Sequence, residues 1–480
     1  MQNIRASLIG LVLVFAQPAL AFDEPPPPQV LFGDLYADVE LGPVFPDSKE
    51  FADATAKSPP PEILALYHAR KPNSLEGLKR FVAMHFDLPA QASTPQAPPE
   101  QVPIRRHIDA LWTLLTRDEP IVPPYSSLLP LSKPYVVPGG RFRELYYWDS
   151  YFVMLGLAES GQRILLEDMA TNFADLIDTY GHAPNGTRTY YLSRSHPPFF
   201  FKMIGLLSPW DPSAAFARYL PELKTEYAYW MEGANGLHAG QADAHAVKLD
   251  DGSILNRYWD DSDAPRDESY REDVMLAAAT SRPAQQMFRD IRAGAESGWD
   301  FSSRWFADAH AMASIDTTEI VPVDLNALMF GLENAIRAGC ERAGDHDCAE
   351  DFAKRVSARR AAVDRYLWDP SRGVYLDYRW TRKEPISHVT AAALYPLFTR
   401  AASDAQAASV AKAVEAELLK PGGIVTTTLM TGQQWDWPNG WAPLQWIGVE
   451  GLAAYGQKQL AETIACRWMA TVSRVYRSTG

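Results

Sequence analysis

Apolar residues recur at every third or fourth position through most of the chain after residue 104. Residues 162–180 show it most plainly. Ile164, Leu165, Met169, Phe173, Leu176 and Ile177 fall on one stripe of a 3.6-residue helix. Residues 211–231, 271–292, 319–342, 349–367, 402–419 and 457–475 repeat the pattern, and 62–81 is helical in parts. The loops between them are dense in Gly, Pro, Trp and Asp. Few stretches alternate with period two, so strands should be minor and confined to loops. No central linker or shift in composition divides the chain. The pattern predicts a single all-α domain over residues 62–480.

Two proline-rich stretches interrupt it. Residues 22–61, with Pro at 25–28, read as an extended, poorly ordered arm lying on the body, and 89–103 as a surface loop. The first 21 residues form a different unit: Arg5, an apolar run over 8–16, and Ala19-Leu20-Ala21. That order matches a secretory signal peptide with cleavage after Ala21, and its apolar run is too short to span a bilayer. No later stretch reaches 18 apolar residues, so an exported, membrane-free product is expected.

Composition narrows the function. The 480 residues are 47% hydrophobic and 22% charged, an ordinary globular balance. The net charge of −14, with no run of Lys and Arg, argues against nucleic-acid partners. Export permits disulfides, and Cys340 and Cys348 could close a small loop; three unpaired thiols are the alternative. No metal-ligand spacing and no Gly-rich phosphate loop occurs, so no cofactor is expected.

The candidate chemistry sits in loops and at helix ends, where binding residues collect on a rigid scaffold. Residues 138–152, PGGRFRELYYWDSYF, bring Arg141, Arg143, Glu144, Trp148 and Asp149 together with Phe142, Tyr146 and Tyr147. Aromatic faces stack on a pyranose ring while guanidinium and carboxylate groups bond its hydroxyls. A structural Arg–Glu pair with a core Trp explains the stretch as well. Residues 184–198 carry Asn185, Arg188, Arg194, Ser195 and His196, and Asn185-Gly186 reads as a turn rather than a glycosylation site. Residues 259–273 place Arg266 beside downstream acids; a solvated charged loop is the plain alternative. In 296–305, Asp300 follows Gly298 and Trp299, where partial desolvation would raise its pKa toward general-acid use. In 317–327, Asp324 and Asn326 read as helix-capping residues. Residues 432–446 hold four Trp within twelve residues, with Asp436 and Asn439 between them. Aromatic-lined, carboxylate-bearing loops around a helical body suit a glycoside-cleaving pocket.

PGGRFRELYYWDSYF and QWDWPNGWAPLQ closely resemble the two signature stretches of the trehalases, glycoside hydrolase family 37. PNGTRTYYLSRSHPP, PRDESYRED and ESGWDFSSRW resemble that family's other loops, and the likeness runs from about residue 32 to 480. The resemblance implies an (α/α)6 barrel, hydrolysis of α,α-trehalose with inversion, and a periplasmic, monomeric enzyme. Carried over residue by residue, it implies substrate contacts at Arg141, Trp148, Asp149, Asn185, Arg194, Ser195, His196, Arg266, Asp267, Glu268 and Gly298. Asp300 matches the general acid. His196 stands where the family usually has Gln, and Asp267 where it has Pro. The family's catalytic base is a Glu on a Gly-rich loop after the helix that ends here as RVYRSTG, with a closing helix beyond it. The sequence stops at Gly480 before both, so the expected barrel lacks its closing helix. Inversion needs two carboxyl groups about 6.5–9.5 Å apart; Asp436 or Glu296 could in principle stand in for the second, but nothing in the sequence supports either. The resemblance therefore allows two readings: a trehalase, or a catalytically impaired trehalose-binding protein. A glucoamylase-like hydrolase or a lyase on the same fold fits the signature loops poorly.

Overall fold

A computed structural model of the protein describes residues 25–89, 102–118 and 121–479. The expected leader and its cleavage point lie outside the described residues, as does most of the 89–103 stretch.

The helix Val323–Ala343 lies at the centre of the core. Fifteen of its 21 residues are buried, so it is packed on every side rather than along one stripe. Gly331 admits the Phe201 ring, and Gly339 admits the carbonyl of Phe216; a Cβ at either would meet its neighbour within 2.8 Å. Gly344 in the left-handed conformation ends this helix. The partner His346–Tyr366 then begins with Asp345 capping the Cys348 amide. Cys340 and Cys348 are bridged across that turn.

Around this pair the other helices succeed one another. Tyr147–Glu159 packs on Arg163–Tyr180, which meets Leu220–Trp230, which in turn meets the 323–343 helix. On the other side come Tyr395–Phe398, Ala442–Ala454 and Lys458–Thr479. Tyr476 of the last helix donates to the Val102 carbonyl at 2.7 Å, and its ring lies 5.0 Å from that of His107. His107 belongs to Ile104–Leu115, whose Trp112 packs against Gly156 of the 147–159 helix. The architecture is an all-α toroid of the (α/α)6 kind. Strands are two or three residues long and lie in the connections; the longest run is an antiparallel meander of Gln241–Asp243, Ala246–Lys248 and Ile254–Asn256.

The expected helices at 162–180, 319–342, 349–367 and 457–475 occur as Arg163–Tyr180, Val323–Ala343, His346–Tyr366 and Lys458–Thr479. Two others split. Residues 271–292 divide into Tyr270–Ala278 and Ala284–Glu296 at Pro283, which cannot donate the amide a continuous helix needs. Residues 211–231 divide into Pro212–Arg218 and Leu220–Trp230 ahead of Pro221. The 402–419 helix is Asp404–Ala413, started by a Ser403/Gln406 capping box and extended by a π turn.

The N-terminal arm is not extended. Pro28–Leu41 is helical, with a break at Gly33, and Lys49–Ala52 and Pro60–Arg70 follow. Proline fits the first helical turn because no intrahelical partner awaits its amide. Phe32, Leu35, Tyr36 and Val39, at helical spacing, build a separate apolar cluster with Phe51, Ile63, Tyr67 and Phe81. Among the described residues no helix is long and apolar enough to cross a membrane.

Candidate active site

Gly139 and Gly140 both take positive φ, at 99° and 63°, and turn the chain into the helix Tyr147–Glu159. Trp148 and Asp149 therefore stand in its first turn. Gly298, at φ 73°, brings the 296–300 loop against the Trp148 indole, where a Cβ would sit 2.6 Å from the ring. Trp435 lies 6.0 Å from Trp148 and stacks on Trp299 at 5.5 Å and on Trp441 at 4.4 Å. These indoles tie three loops into one aromatic wall.

The wall encloses a cavity of about 360 Å³, in the range of small-ligand pockets. Ten of the twelve expected site residues line it: Arg141, Trp148, Asp149, Asn185, Arg194, His196, Arg266, Glu268, Gly298 and Asp300. Ser195 and Asp267 do not. Ser195 is fully buried, its hydroxyl donating to the Ala183 carbonyl and its amide to Glu296. Asp267 faces the N-terminal helix, where it accepts from the Gln29 amide at 2.8 Å and the Gln29 side chain at 2.6 Å. Lys49, Tyr146 and Gln434 also line the cavity. Lys49 comes from the segment whose helical character the proline run conceals. Gln434 stands inside the signature loop and donates to the Asp300 carbonyl.

The charges are fixed by partners. Arg194 donates to Glu268 at 2.7 Å and to Asp260 at 3.3 Å, and lies over the Tyr191 ring. Arg266 is held by a two-pronged pair with Asp273 at 2.7 and 2.9 Å. Arg141 sits at the rim, 44% exposed, bonded to Asp47. Burial works against ionised Glu268, but Arg194, Arg266 and Arg292 outweigh it and hold its pKa below the usual range. Burial pushes Asp300 up to about 6, against the pull of Arg266. It pushes Asp149 up to about 7, with the charge of Asp300 adding to the shift. His196 is held neutral by burial and by Arg194 nearby.

Asn185 Nδ2, Arg194 Nε, His196 Nδ1 and Glu268 Oε2 are buried and have no hydrogen-bond partner among the described residues. Fifteen other buried polar atoms share that condition elsewhere among the described residues, but these four belong to residues that line one cavity. The two carboxylates considered as stand-in bases are fully engaged. Asp436 accepts from Ser302, Ser303, Thr427 and Thr431. Glu296 accepts from Ser195, His245, Trp259 and Tyr229. Glu144 pairs with Lys49 and Arg188 beneath the rim, which is the structural pairing the plain reading anticipated, though its partner is not Arg143.

A helical toroid whose end loops converge on an aromatic-walled cavity with a carboxyl whose pKa burial raises is the arrangement of the (α/α)6 glycoside hydrolases. The family model "Trehalase" matches residues 43–480. A periplasmic trehalase of Pseudomonas aeruginosa is 52% identical over 455 residues, covering 94% of this chain and 83% of that relative. One from Escherichia coli O6:H1 is 49% identical, covering 94% and 80%. Neutral trehalase Nth1 from Saccharomyces cerevisiae superposes with a TM-score of 0.59 at 26% identity, covering 72% of this chain and 68% of that one. A mannosylglycerate hydrolase from Thermus thermophilus shares the fold at a TM-score of 0.51 and 17% identity, covering 78% and 92%. The chain belongs to the trehalase family.

Proposed function

We propose that the chain hydrolyses α,α-trehalose to two glucose molecules with inversion, and that Asp300 is the general acid. In this reading Asp300 gives its proton to the glycosidic oxygen as the bond to C1 breaks, and water adds to C1 from the opposite face and releases its proton to solvent, no carboxylate among the described residues being assigned as its acceptor. Asn185, Arg194, His196 and Glu268 bond the sugar hydroxyls, joined by Arg141, Asp149 and Arg266, while Trp148 offers a ring face. Ser195 and Asp267 act behind the cavity rather than on the sugar. The observation that carries the reading is the cavity that brings Asp300 together with nine of the other residues expected to contact the sugar. Asp436 and Glu296 are not offered as the water-activating base, since both are buried away from the cavity and already accept several hydrogen bonds from the protein. With relatives named periplasmic trehalases and a leader-like N-terminus, the proposed location is the periplasm and the proposed state a monomer.

Proton NMR of the first products tests this. Inversion at one of two α centres releases α- and β-glucose in equal amounts at first. Only α-glucose would overturn inversion. Binding of trehalose without glucose release would overturn hydrolysis in favour of a sugar-binding protein, and neither binding nor release would overturn the substrate.

A further inference from the structure

Glu296 ends the helix Ala284–Glu296, two residues before Gly298 and four before Asp300. Its side chain is fully buried and does not line the cavity. A carboxylate is disfavoured at the C-terminus of a helix, where the backbone dipole is negative. The donors around it come from four other parts of the chain. The Ser195 amide donates at 2.9 Å and the Trp259 amide at 2.8 Å. His245 Nε2 lies 3.0 and 3.1 Å from the two oxygens, and Tyr229 donates its hydroxyl at 3.3 Å. Ser195 stands between Arg194 and His196, both on the cavity wall. Trp259 precedes Asp260, whose carboxylate accepts from Arg194 and Arg292.

One carboxyl group thus spans the loop that carries the proton donor, the loop that carries two sugar contacts, and the loop that anchors one of those contacts from behind. We infer that Glu296, with His245 fixing its orientation, is a positioning residue that sets the distance between Asp300 and the Arg194–His196 loop. This rests on the trehalose reading for its effect on catalysis, though not for its effect on the loops. A misplacement of about 1 Å costs on the order of a hundredfold in rate, so the geometry held here has functional weight.

Glu296→Gln keeps the shape but replaces one acceptor with an amide nitrogen, so one of the two backbone amides loses its partner. The expected result is a kcat/KM for trehalose reduced about tenfold or more, with KM and a calorimetric Kd both raised and an unchanged alkaline limb in kcat/KM. His245→Ala should raise KM similarly, and His245→Gln, which keeps an N–H donor, should restore it. That pair carries the test if Glu296→Gln fails to fold. Amide hydrogen exchange at Ser195 or Trp259, whichever loses its acceptor, followed without sugar, should quicken in Glu296→Gln. A lower melting temperature with unchanged KM and Kd would make the role purely structural and overturn the inference. A kcat loss at constant KM would place Glu296 in the chemistry and overturn it too. If the unaltered protein neither binds nor cleaves trehalose, the functional reading falls, and unchanged exchange in Glu296→Gln would separately overturn the positioning role.

Discussion

Asp300 draws its chemistry from its surroundings. Burial pushes its pKa up to about 6 although Arg266 and Arg194 pull it down, so a fraction of the carboxyl still holds its proton near neutrality. A general acid works only while protonated, so kcat/KM for trehalose is expected to fall as pH rises through about 6. Asp300→Asn keeps the shape and removes the proton, and should cost roughly 10²–10⁴ in turnover while trehalose binding survives. Near-normal turnover in that variant would remove Asp300 from the role. Gly298 is as demanding for a different reason. Its φ of 73° disfavours any side chain, and a Cβ would lie 2.6–2.8 Å from the Trp148 indole. Gly298→Ala should lose about 1–3 kcal/mol in denaturant unfolding and weaken sugar binding by moving Trp148. Unaltered stability and affinity would mean that the loop relaxes freely.

At the scale of elements, the turn between Val323–Ala343 and His346–Tyr366 is the best-defined join, closed by Gly344, the Asp345 cap and the Cys340–Cys348 bridge. The bridge closes a loop of 8 residues, for which the chain-entropy model gives roughly 2–3 kcal/mol. Neither cysteine lines the cavity. Replacing both with Ala should therefore lower unfolding stability by about that amount and leave trehalose affinity unchanged; a change in affinity would link this turn to the site. The same elements mark where sequence periodicity suffices. The 163–180 and 346–366 helices are legible because one side packs and the other is wet. Val323–Ala343 is legible by length, since its pattern lacks a polar side. Helix breaks at Pro283 and Pro221 were masked by apolar spacing that continues across them. The 28–41 helix was hidden by four prolines, although Phe32, Leu35, Tyr36 and Val39 keep helical spacing just beyond. Motif likeness marked which residues line the cavity, but not that Ser195 and Asp267 turn away from it. That depends on Glu296 and Gln29, which lie 101 and 238 residues from them in sequence.

For the whole molecule, the buried titratable groups set how stability follows pH. Glu144 has its pKa at about 2, because Lys49 and Arg188 outweigh the effect of burial. It adds stability that is lost only as pH falls below about 4.5. His182 is lowered to about 4 by burial, and His196 and His388 are lowered too. Their unfolded forms bind the extra protons only below about 6.5, so they stop mattering above it. Lys202, lowered to about 8 by burial, acts only above that pH. Between about 6.5 and 8 the raised carboxyls are left. Burial pushes Glu40 and Glu226 up to about 8, and Asp149 and Asp267 up to about 7. In this window the folded protein holds protons that the unfolded chain has released, so stability falls as pH rises. Glu40 and Glu226 are both buried, and each contributes on the order of 1.4 kcal/mol per pH unit while fully protonated in the folded state. The unfolding midpoint in urea should therefore drop clearly from pH 6.5 to pH 8. Self-repulsion in a chain of net charge −14 acts in the same direction, and a double Glu40→Gln, Glu226→Gln variant separates the two. It removes the two carboxyls that titrate highest, so its midpoint should fall distinctly less over the same range. A midpoint that rises with pH in the unaltered protein, or a slope the variant leaves unchanged, would show that these carboxyls are ionised in the folded state.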